Sequence, residues 1–203
     1  MTTTLQPIIA ESYLALADLL EQRPAGDWDT PSLCEGWRVR EVVAHMTMPA
    51  RYDEAAFMAE LQVDSFDFER LSQRIAARDA LLPNERLVAD LRSDVLHHWS
   101  PPGGGEHGAL NHVVIHSLDI TVPLGEPRCA TEGAIRVVLD DLTGGGVHER
   151  FGIDIEGRAF RATDIDWSHG TGTPVSGTAA ELALGLCGRN LPDPGDVQAN
   201  DMR

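Results

Sequence analysis

The sequence predicts a mainly α protein: a helical bundle over residues 1–145, followed by a small α+β domain over residues 146–203. Three observations lead to this reading. Apolar residues recur at helical spacing through most of the chain from Leu5 to Leu142. Proline- and glycine-rich breaks punctuate that pattern at Pro24-Ala-Gly26, Pro101-Pro-Gly-Gly-Gly105 and Gly144-Gly-Gly146. Beyond the last break the period changes to alternation, with Phe151, Ile153 and Ile155 on one side.

The first helix is expected from about Leu5 to Gln22, with Ile9, Tyr13, Leu16 and Leu20 on its inner face. A turn-rich connection, Asp27 to Gly36, leads to a second helix that opens near Trp37 and carries Val39, Val42, Val43, His45 and Met46, with Pro49 kinking or ending its first half. Residues 50–63 and 65–82 read as weakly patterned helices. Pro83 starts a clearer one that runs through Leu87, Leu91 and Val95 to about Trp99. A further helix holds His112, Ile115, His116 and Asp119, and another covers about Glu132 to Leu142. In the last part, Phe151 to Phe160 reads as a hairpin around a Glu156-Gly157 turn, a short apolar helix spans about Thr178 to Cys187, and the last dozen residues read as a loose tail.

A chain of 203 residues with 42% hydrophobic content can bury a substantial core. Its net charge of −16, from 32 acidic against 16 basic residues, argues against a nucleic-acid partner, which would need clustered lysine and arginine. No segment approaches the roughly 20 apolar residues that cross a bilayer, and the amino terminus lacks the basic and apolar regions of a secretory signal. No membrane partner and a cytoplasmic location are therefore expected, for a monomer or a homodimer. Cys34, Cys129 and Cys187 form no Cys-x-x-Cys pair and fit reduced thiols. Cys34 lies near the start of the second helix, where the helix dipole would lower a thiol pKa, although a plain buried role is the commoner one. Phosphate-binding glycine motifs and a Gly-x-Ser-x-Gly elbow are absent from the sequence.

The most informative feature is the pair His112 and His116 in Asn111-His-Val-Val-Ile-His116. Side chains at i and i+4 lie one above the other on a helix, so two imidazoles can converge on one ion. His45, on the same helix face as Val42 and Met46, is the best third ligand. Three imidazoles inside a bundle would bind zinc and leave a coordination position open. Spacing alone leaves the ordinary alternative standing, because eight histidines produce some i, i+4 pairs by chance.

Three blocks of residues resemble one family, the mycothiol-dependent maleylpyruvate isomerase branch of the DinB-like metalloproteins. The first is Pro31-Ser-Leu-Cys-Glu-Gly-Trp-Arg-Val-Arg-Glu-Val-Val-Ala-His45-Met46. The second is Asn111-His-Val-Val-Ile-His116-Ser-Leu-Asp-Ile120, and the third runs from Ala162 to Arg189. They occur in the family's order and bracket most of the chain. The resemblance implies a DinB-like four-helix bundle with an ion between its helices and a small carboxy-terminal domain. One departure is readable: the isomerase pattern has glutamate where this chain has His112, whereas wider DinB-like proteins commonly use three histidines.

The site so implied is His45, His112 and His116, holding a divalent metal, zinc first and nickel, manganese or iron on the same ligands. Exchanging an anionic ligand for imidazole leaves the ion more positive and a bound thiol or water more acidic, and it puts maleylpyruvate itself in doubt. The resemblance further implies a small-molecule thiol such as mycothiol as nucleophile, in an isomerase or an S-transferase acting on a small electrophile that can be anionic. Arg189 would bind the substrate's carboxylate, against the alternative of an arginine favoured at a helix end. Asp119 would orient a ligand or its water, against the alternative of a helix-end or exposed aspartate, and Trp37, with Trp167, would line the pocket, against the commoner role of a packing residue. A metal-dependent hydrolase using bound water and a non-catalytic binding member of the fold are the competing readings.

Overall fold

The computed structural model describes residues 4–144 and 151–191. The expected tail, His148 and the boundary between residues 145 and 146 lie outside the described residues. The protein is mainly α with a small three-stranded sheet near its carboxy-terminal end. No described helix is long and apolar enough to cross a membrane.

Helix α1 (Gln6–Glu21) starts with Pro7 in its first turn, where the missing N–H costs nothing, and buries Ile9, Tyr13, Leu16 and Leu20 as its spacing predicts. Helix α2 (Val39–Met46) begins two residues later than expected. Gly36 at φ +76° turns the chain, and Arg38 becomes the N-cap, its backbone N–H donating to Glu41 Oε2 at 2.9 Å. Trp37 therefore precedes the helix instead of opening it. The break near Pro49 falls at Thr47, whose hydroxyl donates back to the Val43 carbonyl at 2.6 Å, and a single turn, α3 (Met48–Arg51), follows. Helices α4 (Glu54–Val63) and α5 (Phe68–Asp79) are capped by Asp53 and Asp67.

The single helix expected from Pro83 to Trp99 is two, α6 (Asn84–Leu91) and α7 (Asp94–His98). Ser93 caps the second by accepting from Val95 N–H, and the change of axis turns Val95 outward (59% exposed) while burying Leu96 and His97. Helix α8 (Gly105–Thr121) is buried nearly all round, as a central helix must be. It packs on α1, on α2 and on α9 (Glu132–Thr143). Beside this main core, a buried Arg51 ties α3 to α5 and α6, its guanidinium 2.9 Å from Asp79 Oδ2 and 3.0 Å from Asp90 Oδ2.

The expected hairpin is corrected. Gly157 (φ +68°) does make a turn, but residues 152–155 form no strand; Ile153 and Ile155 instead pack against the core. Strand β1 (Ala159–Ala162) pairs antiparallel with β2 (Ser168–His169) and parallel with β3 (Pro174–Gly177), in the order β2-β1-β3. Gly170 permits this: at φ +75°, a Cβ there would sit 2.2 Å from the Arg158 carbonyl oxygen. Helix α10 (Ala179–Leu186) carries a Thr178/Glu181 capping box and packs on α9 and α8. Its Leu182, Ala183 and Leu186 belong to the same hydrophobic cluster as the bundle core, so the carboxy-terminal part and the bundle are joined by continuous packing.

Candidate metal centre

Two facing helices bring the histidines together. On α8, His112 and His116 sit one turn apart with ring centroids 4.9 Å from each other. His45 on α2 faces both, with centroids 5.2 Å from His112 and 5.1 Å from His116. One ring nitrogen from each of the three lies within 4.8 Å of the others, and His45 Nε2 is 3.3 Å from His112 Nε2. Ring nitrogens at this spacing form a group that could hold a metal ion.

The outer nitrogens are each held by a different element. His45 Nδ1 lies 2.9 Å from Ser72 Oγ on α5, His116 Nδ1 lies 3.0 Å from Asp119 Oδ2, and His112 Nδ1 makes a longer 3.4 Å contact with the Tyr13 hydroxyl on α1. Partners at Nδ1 restrain the three rings, and the Asp119 carboxylate, which can only accept, favours a proton on His116 Nδ1. Burial, reinforced by neighbouring His116, pushes His45 down to about 3, so its imidazole is neutral at physiological pH, the form that binds metal.

Asp119 is fully buried and densely bonded. Arg189 donates to it through Nε (2.8 Å to Oδ1) and Nη2 (2.9 Å to Oδ2), and the Cys34 thiol donates to Oδ2 at 3.0 Å. Burial alone would raise this carboxyl, but the bonds from His116 and Arg189 outweigh it and hold Asp119 well below the usual carboxylate range. The loop before α2 is fixed here as well, with Leu33 N–H donating to the Asp119 carbonyl at 3.1 Å. Cys34, Asp119 and His116 form a second group of three metal-capable atoms that shares His116 with the first. Cys34 takes the commoner of its two expected roles: the thiol donates to Asp119 on α8, and burial and then the Asp119 charge push its pKa up rather than down.

Arg189 reaches the site from the turn after α10, where Gly188 adopts φ +71°. The fork expected to bind a substrate carboxylate is engaged by Asp119 instead. A cavity of about 1160 Å³ opens over the histidines. His45, His112, His116 and Arg189 line it; Trp37 does not. Trp37 stands beside His45, 5.2 Å between centroids, and donates to Gln73 Oε1 at 2.6 Å. The aromatic wall comes from Trp99, whose ring is 5.3 Å from His112. Trp167 is buried packing, its indole N–H bonded to Asp140 Oδ1 at 2.8 Å.

The sequence reading missed Ser72 and Tyr13 as site residues. A small polar residue beside Leu71 on a buried helix face was the available signal for Ser72, and for Tyr13 it was a phenol on a core stripe, whose hydroxyl needs a partner.

Residues 10–97 match the family model described as the mycothiol maleylpyruvate isomerase N-terminal domain. That span runs from α1 to α7, so it includes Tyr13, His45 and Ser72 and stops short of His112 and His116. Neither a curated protein nor a solved structure matched the chain. Over that segment, from Ala10 to His97, the chain is similar to the mycothiol maleylpyruvate isomerase N-terminal domain.

Proposed function

We propose that His45, His112 and His116 hold a divalent metal ion, zinc first, and that the protein is an enzyme using a low-molecular-weight thiol of the mycothiol kind, as an isomerase or S-transferase on a small electrophile. The observation that carries this reading is the division of labour at the three rings: inner nitrogens within 4.8 Å of one another, and outer nitrogens held by Ser72, Tyr13 and Asp119. Structural zinc sites fill four positions with protein ligands, whereas three leave one for chemistry. When bound, an ion among three neutral imidazoles keeps its full charge and acidifies a thiol or water in its remaining position.

The chain's own residues supply orientation. Asp119 holds His116, and Arg189 holds Asp119, so Arg189 is a positioning residue that links the carboxy-terminal element to the site. Trp99 and the cavity walls give room and an apolar surface for the thiol's partner. The family match over residues 10–97 supports the thiol in particular, since the matched family is named for mycothiol.

Elemental mass spectrometry of the purified protein, with His45→Ala and His116→Ala variants alongside, tests the reading. About one metal per chain in the parent and its loss from both variants is the expected result. No metal even after reconstitution would overturn the proposal. With metal established, turnover that requires added thiol supports the isomerase or transferase, and turnover without thiol points to a hydrolase using bound water.

A further inference from the structure

We propose that Asn111 is a specificity-determining residue of the cavity: its amide oxygen takes a hydrogen bond from an N–H or O–H group carried by the thiol held at the metal centre. This rests on the reading of the three histidines as a thiol-binding centre, and it adds a demand on the thiol beyond its sulfur.

Among the described residues, three buried side-chain polar atoms have no hydrogen-bond partner: Arg40 Nε, Asn111 Oδ1 and Thr121 Oγ1. Of these residues, Asn111 is the one that lines the cavity over the histidines. Buried acceptors are paired in the great majority of cases, because losing water without gaining a bond is costly, so an orphan on a cavity wall points to a partner that the cavity receives. Asn111 sits on α8 immediately before His112. Helix geometry sets their side chains about 100° apart round the axis, and both belong to the stripe of α8 that lines the cavity, with Gly108 in the turn before and Ile115 in the turn after. A ligand that reaches the histidines and runs along α8 passes this amide. The torsion that turns a terminal amide is broad, so the oxygen, shielded from water as it stands, swings to meet a donor at little cost.

Much of the remaining polar lining is already engaged. The Tyr52 hydroxyl donates to Asp79 Oδ2 at 2.8 Å, and Arg189 is forked onto Asp119 at 2.8 and 2.9 Å. His107 Nδ1 lies 2.9 Å from both Asp141 oxygens, and Asp140 accepts from the Trp167 indole N–H at 2.8 Å. Phe57 and Trp99 carry no acceptor. An acceptor that is unpaired, shielded from water and next in sequence to a metal ligand tells a donor-bearing thiol from its alkyl counterpart, because the alkyl chain leaves the oxygen without a partner.

The test titrates zinc-loaded protein by calorimetry with 2-mercaptoethanol, 3-mercapto-1-propanol and 4-mercapto-1-butanol, each against the alkanethiol that has a methyl group in place of the hydroxyl, in the parent and in Asn111→Leu. For at least one chain length, the preference for the hydroxyl-bearing thiol over its alkyl counterpart should be roughly tenfold greater in the parent than in the variant. Without thiol, Asn111→Leu should melt roughly 2–4 °C above the parent, because it removes a buried unpaired acceptor, and zinc content should be the same in both. The inference is overturned by thiols whose ranking is the same in parent and variant, by a variant that melts at or below the parent, or by loss of zinc from the variant, which would make Asn111 part of the metal centre itself. Parent protein that takes up no zinc, or binds no thiol once loaded, overturns the proposed enzyme as well. Thiols that bind with no dependence on Asn111 leave that enzyme standing and remove this inference alone.

Discussion

Ser72 Oγ lies 2.9 Å from His45 Nδ1, which joins α5 to the centre through a residue that has no part in ligating. With Nδ1 carrying the proton and donating to Ser72, the His45 ring cannot rotate away and its Nε2 lone pair is left pointing at His112 and His116. Ser72→Ala should therefore lower metal affinity about 10- to 100-fold with little change in stability. Competition for zinc against a chromophoric chelator, with an unfolding curve on the same variant, checks it. Unchanged affinity would show that packing alone orients His45.

The Asp119–Arg189 pair makes a stability prediction. Asp119 is fully buried and Arg189 contributes two of its hydrogen bonds, so Arg189→Met strands a buried carboxylate and should cost about 3 kcal/mol. Urea unfolding measures the cost. If Arg189 also serves as the positioning residue for His116, zinc affinity should fall in the same variant, and Arg189→Lys should restore only part of it, because an ammonium cannot reproduce the fork. Full recovery with lysine would mean that charge alone matters.

The histidines were legible because their logic is local: the i, i+4 repeat is a property of one helix, and His45 shares a periodic apolar face with Val42 and Met46. The groups that hold them were less so, since Ser72 and Tyr13 meet His45 and His112 only after α5 and α1 pack against α2 and α8. Val95 shows the same limit from the other side. Its spacing from Leu87 and Leu91 fits one continuous helix, but Ser93 caps a new one and turns Val95 into solvent. The expected hairpin failed through competition for β1. Alternation at Phe151, Ile153 and Ile155 is satisfied by packing on the core, and β1 pairs with β2 and β3 further along the chain. Trp37 stands beside His45 without lining the cavity, because position in sequence puts a residue next to a ligand without saying on which side of it the cavity opens.

Arg51 predicts a second buried network. Its side chain is 8% exposed, and it bonds to Asp79, Asp90 and the Thr47 hydroxyl, holding the turn that ends α2 just after His45. Arg51→Met removes the cation between two acidic side chains that are equally buried, and should cost about 3–5 kcal/mol. Arg78 on Asp79 and Arg86 on Asp90 compensate part of the stranded charge, and the triple change with Asp79→Asn and Asp90→Asn should recover much of the remaining loss. Denaturant unfolding of the two variants checks it, and equal losses in both would mean that Arg51 matters through packing.

Asp164 gives a pH dependence of known sign. It accepts from Ala179 N–H at 2.7 Å, at the start of α10, and pairs with Arg128. Burial acts to raise this carboxyl, but the Ala179 bond and the Arg128 guanidinium prevail and lower it. A carboxylate depressed in the folded state contributes stability that is fully present above its unfolded pKa of about 3.9 and is lost as the pH falls through the folded value. Because Asp164 is partly exposed, that contribution should be modest, about 1 kcal/mol. Asp164→Asn should therefore be less stable than the parent at pH 7, and the gap should close as the pH is lowered below about 4. Unfolding free energies from pH 3 to 7 measure it. A gap that stays constant across that range would assign the effect of the substitution to lost geometry at the α10 terminus instead of lost charge.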